Sequence, residues 1–171
     1  MKIEQPADVG EIQVHAKRSP MADGKIEVTG CRVTSHGDAH CVWIHATSQP
    51  PSEIRLTGNR FERRAGTGTN VAVDVDSDSS LSKLSIRGNL FANGGSALNF
   101  ALKGRLPPHS VDIVNNTFFQ SQYWLAFTTQ QPSVPLACAA NNLIVGGERI
   151  LTDTHDDLNE AALHWVFRSN W

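Results

Sequence analysis

One phrase recurs along this chain and restricts what it can fold into. Leu84-Ser-Ile86-Arg-Gly-Asn89-Leu-Phe91 reads apolar, any, apolar, any, any, Asn, any, apolar. Ile54-Arg-Leu56-Thr-Gly-Asn59-Arg-Phe61 and Val111-Asp-Ile113-Val-Asn-Asn116-Thr-Phe118 repeat it. Leu136-Ala-Cys138-Ala-Ala-Asn141-Asn-Leu143 reads as a fourth copy, and Ile26-Glu-Val28-Thr-Gly-Cys31-Arg-Val33 as a first copy with Cys in the Asn position. The Asn (or Cys31) positions lie 28, 30, 27 and 25 residues apart. A unit this short cannot bury an apolar face alone and must stack on its neighbours, so a period of this size marks a solenoid.

Each repeat holds a second apolar run after its Asn position: Val42-Trp-Ile44, Val71-Ala-Val73-Asp-Val75, Leu98-Asn-Phe100 and Leu125-Ala-Phe127. These runs alternate with period two, the pattern of a strand with one buried face. Together with the Ile-x-Leu pair and the Phe61-type position they make three short strands per repeat. Ile12-Gln-Val14 reads as the last strand of an earlier, incomplete coil. Loops of Pro, Ser and Asp at 48–52, 76–80, 105–110 and 130–135 follow the alternating runs, as residues that stop strands should. The competing solenoid is a leucine-rich repeat, whose consensus Leu81-x-x-Leu84-x-Ile86-x-x-Asn89-x-Phe91 fits. The other copies place Pro51 and Pro108 at the position of Leu81, and a second alternating strand stands where that repeat needs a helix or tight turn. The expected fold is all-β: a short right-handed parallel β-helix of about four to five coils, three strands per coil, over residues 1–154.

Only the tail has a helical period. Asp157-Leu-Asn-Glu160 resembles a capping box, and Leu158, Ala162, Trp165 and Val166 then share one face. A solenoid leaves an open end that needs cover, so 155–167 is expected to form a C-terminal capping helix in a unit of residues 155–171.

Coil length, three strands per coil and an Asn at one turn resemble the pectate-lyase-like β-helix superfamily. The resemblance implies an internal amide ladder of Asn59, Asn89, Asn116 and Asn141, interrupted at Cys31. Asn suits a tight corner because it tolerates left-handed geometry and bonds inward-turned backbone groups. Coils about 4.8 Å apart bring such amides within reach of one another. The resemblance also implies a ligand lying along the outer face of the alternating runs. The superfamily's catalytic residues do not recur: Arg63 and Arg64 fall in a turn, away from that face, and no paired aspartates precede a Gly-His-Gly.

A net charge of −2 with no basic stripe argues against nucleic acid or an anionic membrane as partner. Three cysteines make no disulfide framework, and Cys31 and Cys138 fall on positions expected to point inward as small hydrophobes. The first eight residues contain no apolar run, so neither a signal peptide nor a membrane anchor is expected and the chain reads as soluble, its compartment open.

Reading odd against even along the runs, the outward set is Trp43 and His45, Asp74 and Asp76, Asn99 and Ala101, then Trp124 and Ala126, with His15 and Lys103 flanking it. Trp faces pack on pyranose rings while amides and carboxylates take hydroxyls, so Trp43, His45, Asp74, Asp76, Asn99 and Trp124 are the candidate ligand-binding residues. Asp74 and Asp76 share a strand face about 7 Å apart, a spacing that suits two carboxylates flanking a glycosidic bond. His45 lies one coil from Asp74, so Asp74, Asp76 and His45 are the catalytic candidates should the chain be an enzyme. Asp74-Val-Asp76-Ser-Asp78 opens like a calcium loop, but Ser79 and Ser85 stand where Gly and Glu are required. His36-Gly-Asp38-Ala-His40 has metal-like residues without a second half. No metal ligand set and no cofactor is therefore expected, Ca2+ at Asp74 and Asp76 being the one ion the pattern admits.

Three functional classes follow. A non-catalytic carbohydrate-binding or adhesion module of a bacterial protein, with polysaccharide as partner, stands first. A polysaccharide lyase or glycoside hydrolase stands second, and a structural segment of a larger multidomain protein third. An uncapped first coil exposes strand edges, so self-association through that end is expected.

Overall fold

The alternating runs and the repeated phrase both fold as strands, and coil stacks on coil to make a parallel β-solenoid. The computed structural model describes residues 2–4, 8–9, 12–16, 24–46, 51–75, 83–102, 110–127, 137–147, 149–153 and 165–171, with side chains described within 24–45, 51–74, 83–101, 110–125, 138–147 and 168–171. The first strands are β1 (Lys2–Glu4), β2 (Asp8–Val9), β3 (Ile12–Ala16), β4 (Lys25–Thr29), β5 (Arg32–Ser35) and β6 (Val42–Ala46). The central ones are β7 (Glu53–Thr57), β8 (Arg60–Arg63), β9 (Val71–Val75), β10 (Lys83–Arg87), β11 (Leu90–Ala92) and β12 (Ser96–Leu102). The last are β13 (Ser110–Val114), β14 (Thr117–Phe119), β15 (Tyr123–Phe127), β16 (Ala137–Ala140), β17 (Leu143–Val145), β18 (Arg149–Asp153) and β19 (Trp165–Arg168). Among the described residues there is no helix, hence none long and apolar enough to cross a membrane.

Each strand pairs in parallel with the strand three places along the chain, one coil away. Sheet A takes β1, β4, β7, β10, β13, β16 and β19; sheet B runs from β2 to β17 and sheet C from β3 to β18, each by steps of three. The register aligns like with like. Ile26, Ile54, Leu84 and Val111 form one inward column of sheet A, and Val28, Leu56, Ile86, Ile113 and Ala139 the next. All of them are buried, and each large one contributes about 1.5–3 kcal/mol by leaving water. In sheet B, Phe61, Phe91 and Phe118 form a column with centroids 5.4 and 5.0 Å apart, the first pair tilted by 32° and the second stacked, near the preferred spacing of aromatic pairs.

The amide ladder lies at the corner between sheets A and B. Asn59, Asn89, Asn116, Asn142 and Asn170 are its members, so the fourth is Asn142, not the expected Asn141. The fourth copy is displaced by one: Ala137, not Leu136, pairs with Val111, and Ala139 pairs with Ile113. Each Nδ2 donates to the next Oδ1 at 2.9–3.1 Å and to a carbonyl one coil back, Asn89 to Leu56 at 2.9 Å for example. Each Oδ1 accepts in addition the backbone N–H of the preceding ladder residue. All four valences of an interior amide are thus used. Cys31 ends the ladder by giving only its backbone N–H to Asn59 Oδ1, 2.9 Å away. The left-handed residue of the corner is the one before the ladder: Gly30, Gly58, Gly88, Asn115, Asn141 and Ser169 all have φ between 48° and 65°. Glycine and asparagine accept that conformation most readily.

The one-residue displacement also moves Cys138. It falls in the outward column of Arg55, Ser85 and Asp112 and is half-buried, while Cys31 is buried as expected. The expected capping helix falls mostly on residues 154–164, outside the described residues. Its last turn does not form: Trp165–Arg168 is strand β19, paired in parallel with β16. Pairing with an open sheet edge satisfies those backbone groups better than a helix turn beside an unpaired strand would.

Candidate functional site

Sheet C carries the outward residues that the alternating runs single out. Trp43, Ala72 and Asn99 are register partners in one column, and His15, His45, Asp74 and Ala101 in the next. Trp43, His45, Asp74 and Asn99 are partly exposed, whereas Ala72 is covered. Asp76, Asp78 and Lys103 lie outside the described residues, and the side chain of Ala126 does too.

Trp43 binds this face together. Its indole Nε1–H donates to Asp74 Oδ2 across the coil boundary at 2.6 Å. The imidazole of His45, two residues on and so on the same face, stacks on the indole with centroids 5.4 Å and planes 9° apart. His40 leans against the same indole at 6.1 Å, and its Nδ1 lies 3.3 Å from the Thr69 carbonyl. His36 and Asp38 of the His-Gly-Asp-Ala-His turn are exposed. Among the described residues no three of His, Cys, Asp and Glu gather as a metal ligand group.

Trp124 does not belong to this face. It is 2% exposed and packs against Phe118 at 5.0 Å. Cys41, Asn70 and Ala97 precede the first inward residues of their strands as Trp124 does, and all three are buried like it. At the corner entering sheet C the chain is still bending, so two successive residues face inward and the period of two begins one residue later.

The same corner holds a residue that the sequence places wrongly. Arg63 is the last residue of strand β8 rather than part of a turn, and it is 1% exposed. Its Nη1 donates to Ser35 Oγ at 3.1 Å and to the Ala39 carbonyl, while Nε and Nη2 make no hydrogen bond. Gly68 and Gly94 leave its space: a Cβ on Gly68 would stand 2.8 Å from both Nη atoms, and one on Gly94 2.5 Å from Cδ. Beside it the Cys41 thiol has Ser35 Oγ at 3.4 Å and Asn70 Oδ1 at 3.5 Å as acceptors. Burial pushes that thiol up, against the opposing effects of Ser35 and of Arg63's charge, so it is not the thiolate that nucleophilic chemistry requires. The phrase Phe61-Glu-Arg63 held one hint of this burial, because Arg63 sits at i+2 from an inward Phe.

Fold and outer face together define an all-β parallel solenoid with an aromatic–imidazole–carboxylate cluster on one sheet. No family model, no curated protein and no solved structure matches the chain.

Proposed function

We propose that this chain is a non-catalytic binding module, a β-helix of the right-handed, pectate-lyase-like kind, that takes a polysaccharide along the outer face of sheet C. The observation that carries the reading is the Trp43–His45–Asp74 cluster with Asn99 beside it. An aromatic body, an imidazole, a carboxylate and an amide share one half-exposed ribbon, the mixture that sugar rings and hydroxyls call for. Trp124 drops out of the ligand set because it is core. Asp74 already accepts the indole N–H, which favours holding a ligand over proton transfer and puts lyase or hydrolase chemistry second.

The test is a titration of the purified chain with neutral and acidic polysaccharides, followed by tryptophan fluorescence. A saturable change that Trp43→Phe abolishes and Trp124→Phe retains supports the reading. A flat response across the panel overturns it, and bond cleavage lost in Asp74→Asn would move the chain to the enzyme class. Self-association belongs to the same proposal, since β1, β2 and β3 each end a sheet and edge strands pair readily; sedimentation at rising concentration reads it directly.

A further inference from the structure

A buried positive charge stands at the corner between sheets B and C with no negative charge beside it. Arg63 is 1% exposed. The ion pairs among the described residues lie elsewhere, on the outer faces of sheets A and B, and none includes it. Glu62, its neighbour in the chain, turns outward to Arg32 and Arg60. The adjacent Cys41 thiol is kept protonated by burial and brings no charge. An unpaired charge in the interior is among the costliest things a fold can carry. We propose that the Nε–Nη2 edge of Arg63 is a binding site for one small monovalent anion of the chloride class.

The bonds that Arg63 does make leave one edge for a ligand. Nη1 donates to Ser35 Oγ and to the Ala39 carbonyl, which anchors the guanidinium. Nε and Nη2 are buried and have no hydrogen-bond partner. Their N–H groups lie along one side of the planar group, the fork with which arginine grips an anion. Glycine borders that fork at both ends: an ideal Cβ on Gly68 would stand 2.8 Å from Nη2, and one on Gly94 3.4 Å from Nε. Gly68 lacks the left-handed φ that would by itself call for glycine, so what it supplies is space. A single guanidinium charge is balanced by a monovalent ion. A polyatomic oxyanion would bury further acceptor oxygens in need of donors, whereas a halide is satisfied by the fork. The site lies inside the corner, apart from the outer face of sheet C, and does not rest on the polysaccharide reading.

The experiment is urea unfolding of the full chain at fixed ionic strength, with chloride replacing fluoride from about 1 to about 300 mM so that screening stays constant. Above its dissociation constant, one bound chloride should lower the unfolding constant about tenfold for each tenfold rise in concentration. Arg87→Met, at an exposed arginine of sheet A, should keep that dependence. Arg63→Met should lose it, while matching or exceeding the parent's stability without chloride. Crystals of the parent grown in bromide should show anomalous density at hydrogen-bonding distance from Nε and Nη2, which keeps the test decisive should Arg63→Met fail to fold. The proposal is overturned if parent and Arg63→Met respond alike to chloride. It is overturned equally if the fork holds water in bromide, or if bromide sits at exposed arginines alone, an adventitious ion only.

Discussion

The two corners flanking sheet B solve the same problem in opposite ways. At the corner between sheets A and B one residue type recurs on coil after coil, and every amide bonds the next along the axis. At the corner between sheets B and C the equivalent positions hold Cys41, Asn70, Ala97 and Trp124, with a buried guanidinium underneath. Identical side chains that bond one another define register without regard to what surrounds them. Unlike side chains must be packed coil by coil, and at that corner Arg63 Nε and Nη2 are buried without hydrogen bonds.

The largest effect should come from breaking the regular corner. Asn89→Ala removes the acceptor of Asn59 Nδ2 and N–H and the donor to the Leu56 carbonyl. At about 1–3 kcal/mol for each buried group left unpaired, denaturation should show a loss of about 3 kcal/mol or more. Asn142→Ala should behave alike, while Asn141→Gly, at a left-handed position outside the ladder, should cost nothing. Equal losses at 141 and 142 would contradict the displaced register.

The irregular corner should respond in the other direction. Arg63→Met keeps the buried stem and removes a charge with two unbonded nitrogens, so stability should hold or rise by about 1 kcal/mol. Arg63→Ala leaves a cavity and should lose about 2–4 kcal/mol. A Met variant as unstable as the Ala variant would show that the bonds to Ser35 and Ala39 outweigh the burial of charge. A smaller gain is available where the ladder stops: Cys31→Asn offers Nδ2 to Asn59 Oδ1 and should add about 1 kcal/mol. No gain would mean that the first coil does not present a matching carbonyl at Ile3, the register partner of Val28.

The smallest effect lies outside both corners. Glu53, at the start of β7, contacts Arg55 at 2.9 Å and Lys25 at 3.3 Å, and the Arg55 hydrogen bond above all holds its carboxyl below the ordinary range. A depressed folded-state value means that the stabilisation is complete above the ordinary glutamate range and is lost as acid carries the pH down through the folded value. Both cations are well exposed, so Glu53→Gln should cost under about 1 kcal/mol at neutral pH. The gap between parent and variant should close in acid, and a gap that widens there would reverse the sign.

Most of the coil is legible in the sequence, because inward residues recur at fixed places in the phrase and in the alternating runs. β6, β9, β12 and β15 fall on the four runs, and β3 on Ile12-Gln-Val14. The fourth copy slipped because Asn141-Asn142 offers two candidates and Leu136 is a more apolar start than Ala137. Asn170 was also legible: Trp165-Val-Phe167-Arg-Ser-Asn170 has the same grammar. A helical period over the same residues competed with it, and periodicity alone cannot say whether a sheet edge is waiting. On the outer face the adjacency of His45 and Asp74 follows from register, but the indole bond to Asp74 does not, since nothing in a strand pattern says which way a Trp ring leans.

By itself the sequence determined the repeat, the three strands of each coil and the columns that face inward, since a short repeating unit can bury its apolar residues only against copies of itself. Tertiary structure decided what happens where strands bend. There the period of two fails, and the corner turns Trp124 and Arg63 into the core while β16 draws Trp165–Arg168 into a strand. Those outcomes depend on groups one coil away that are some 25 to 30 residues distant in the chain, beyond the reach of any local pattern.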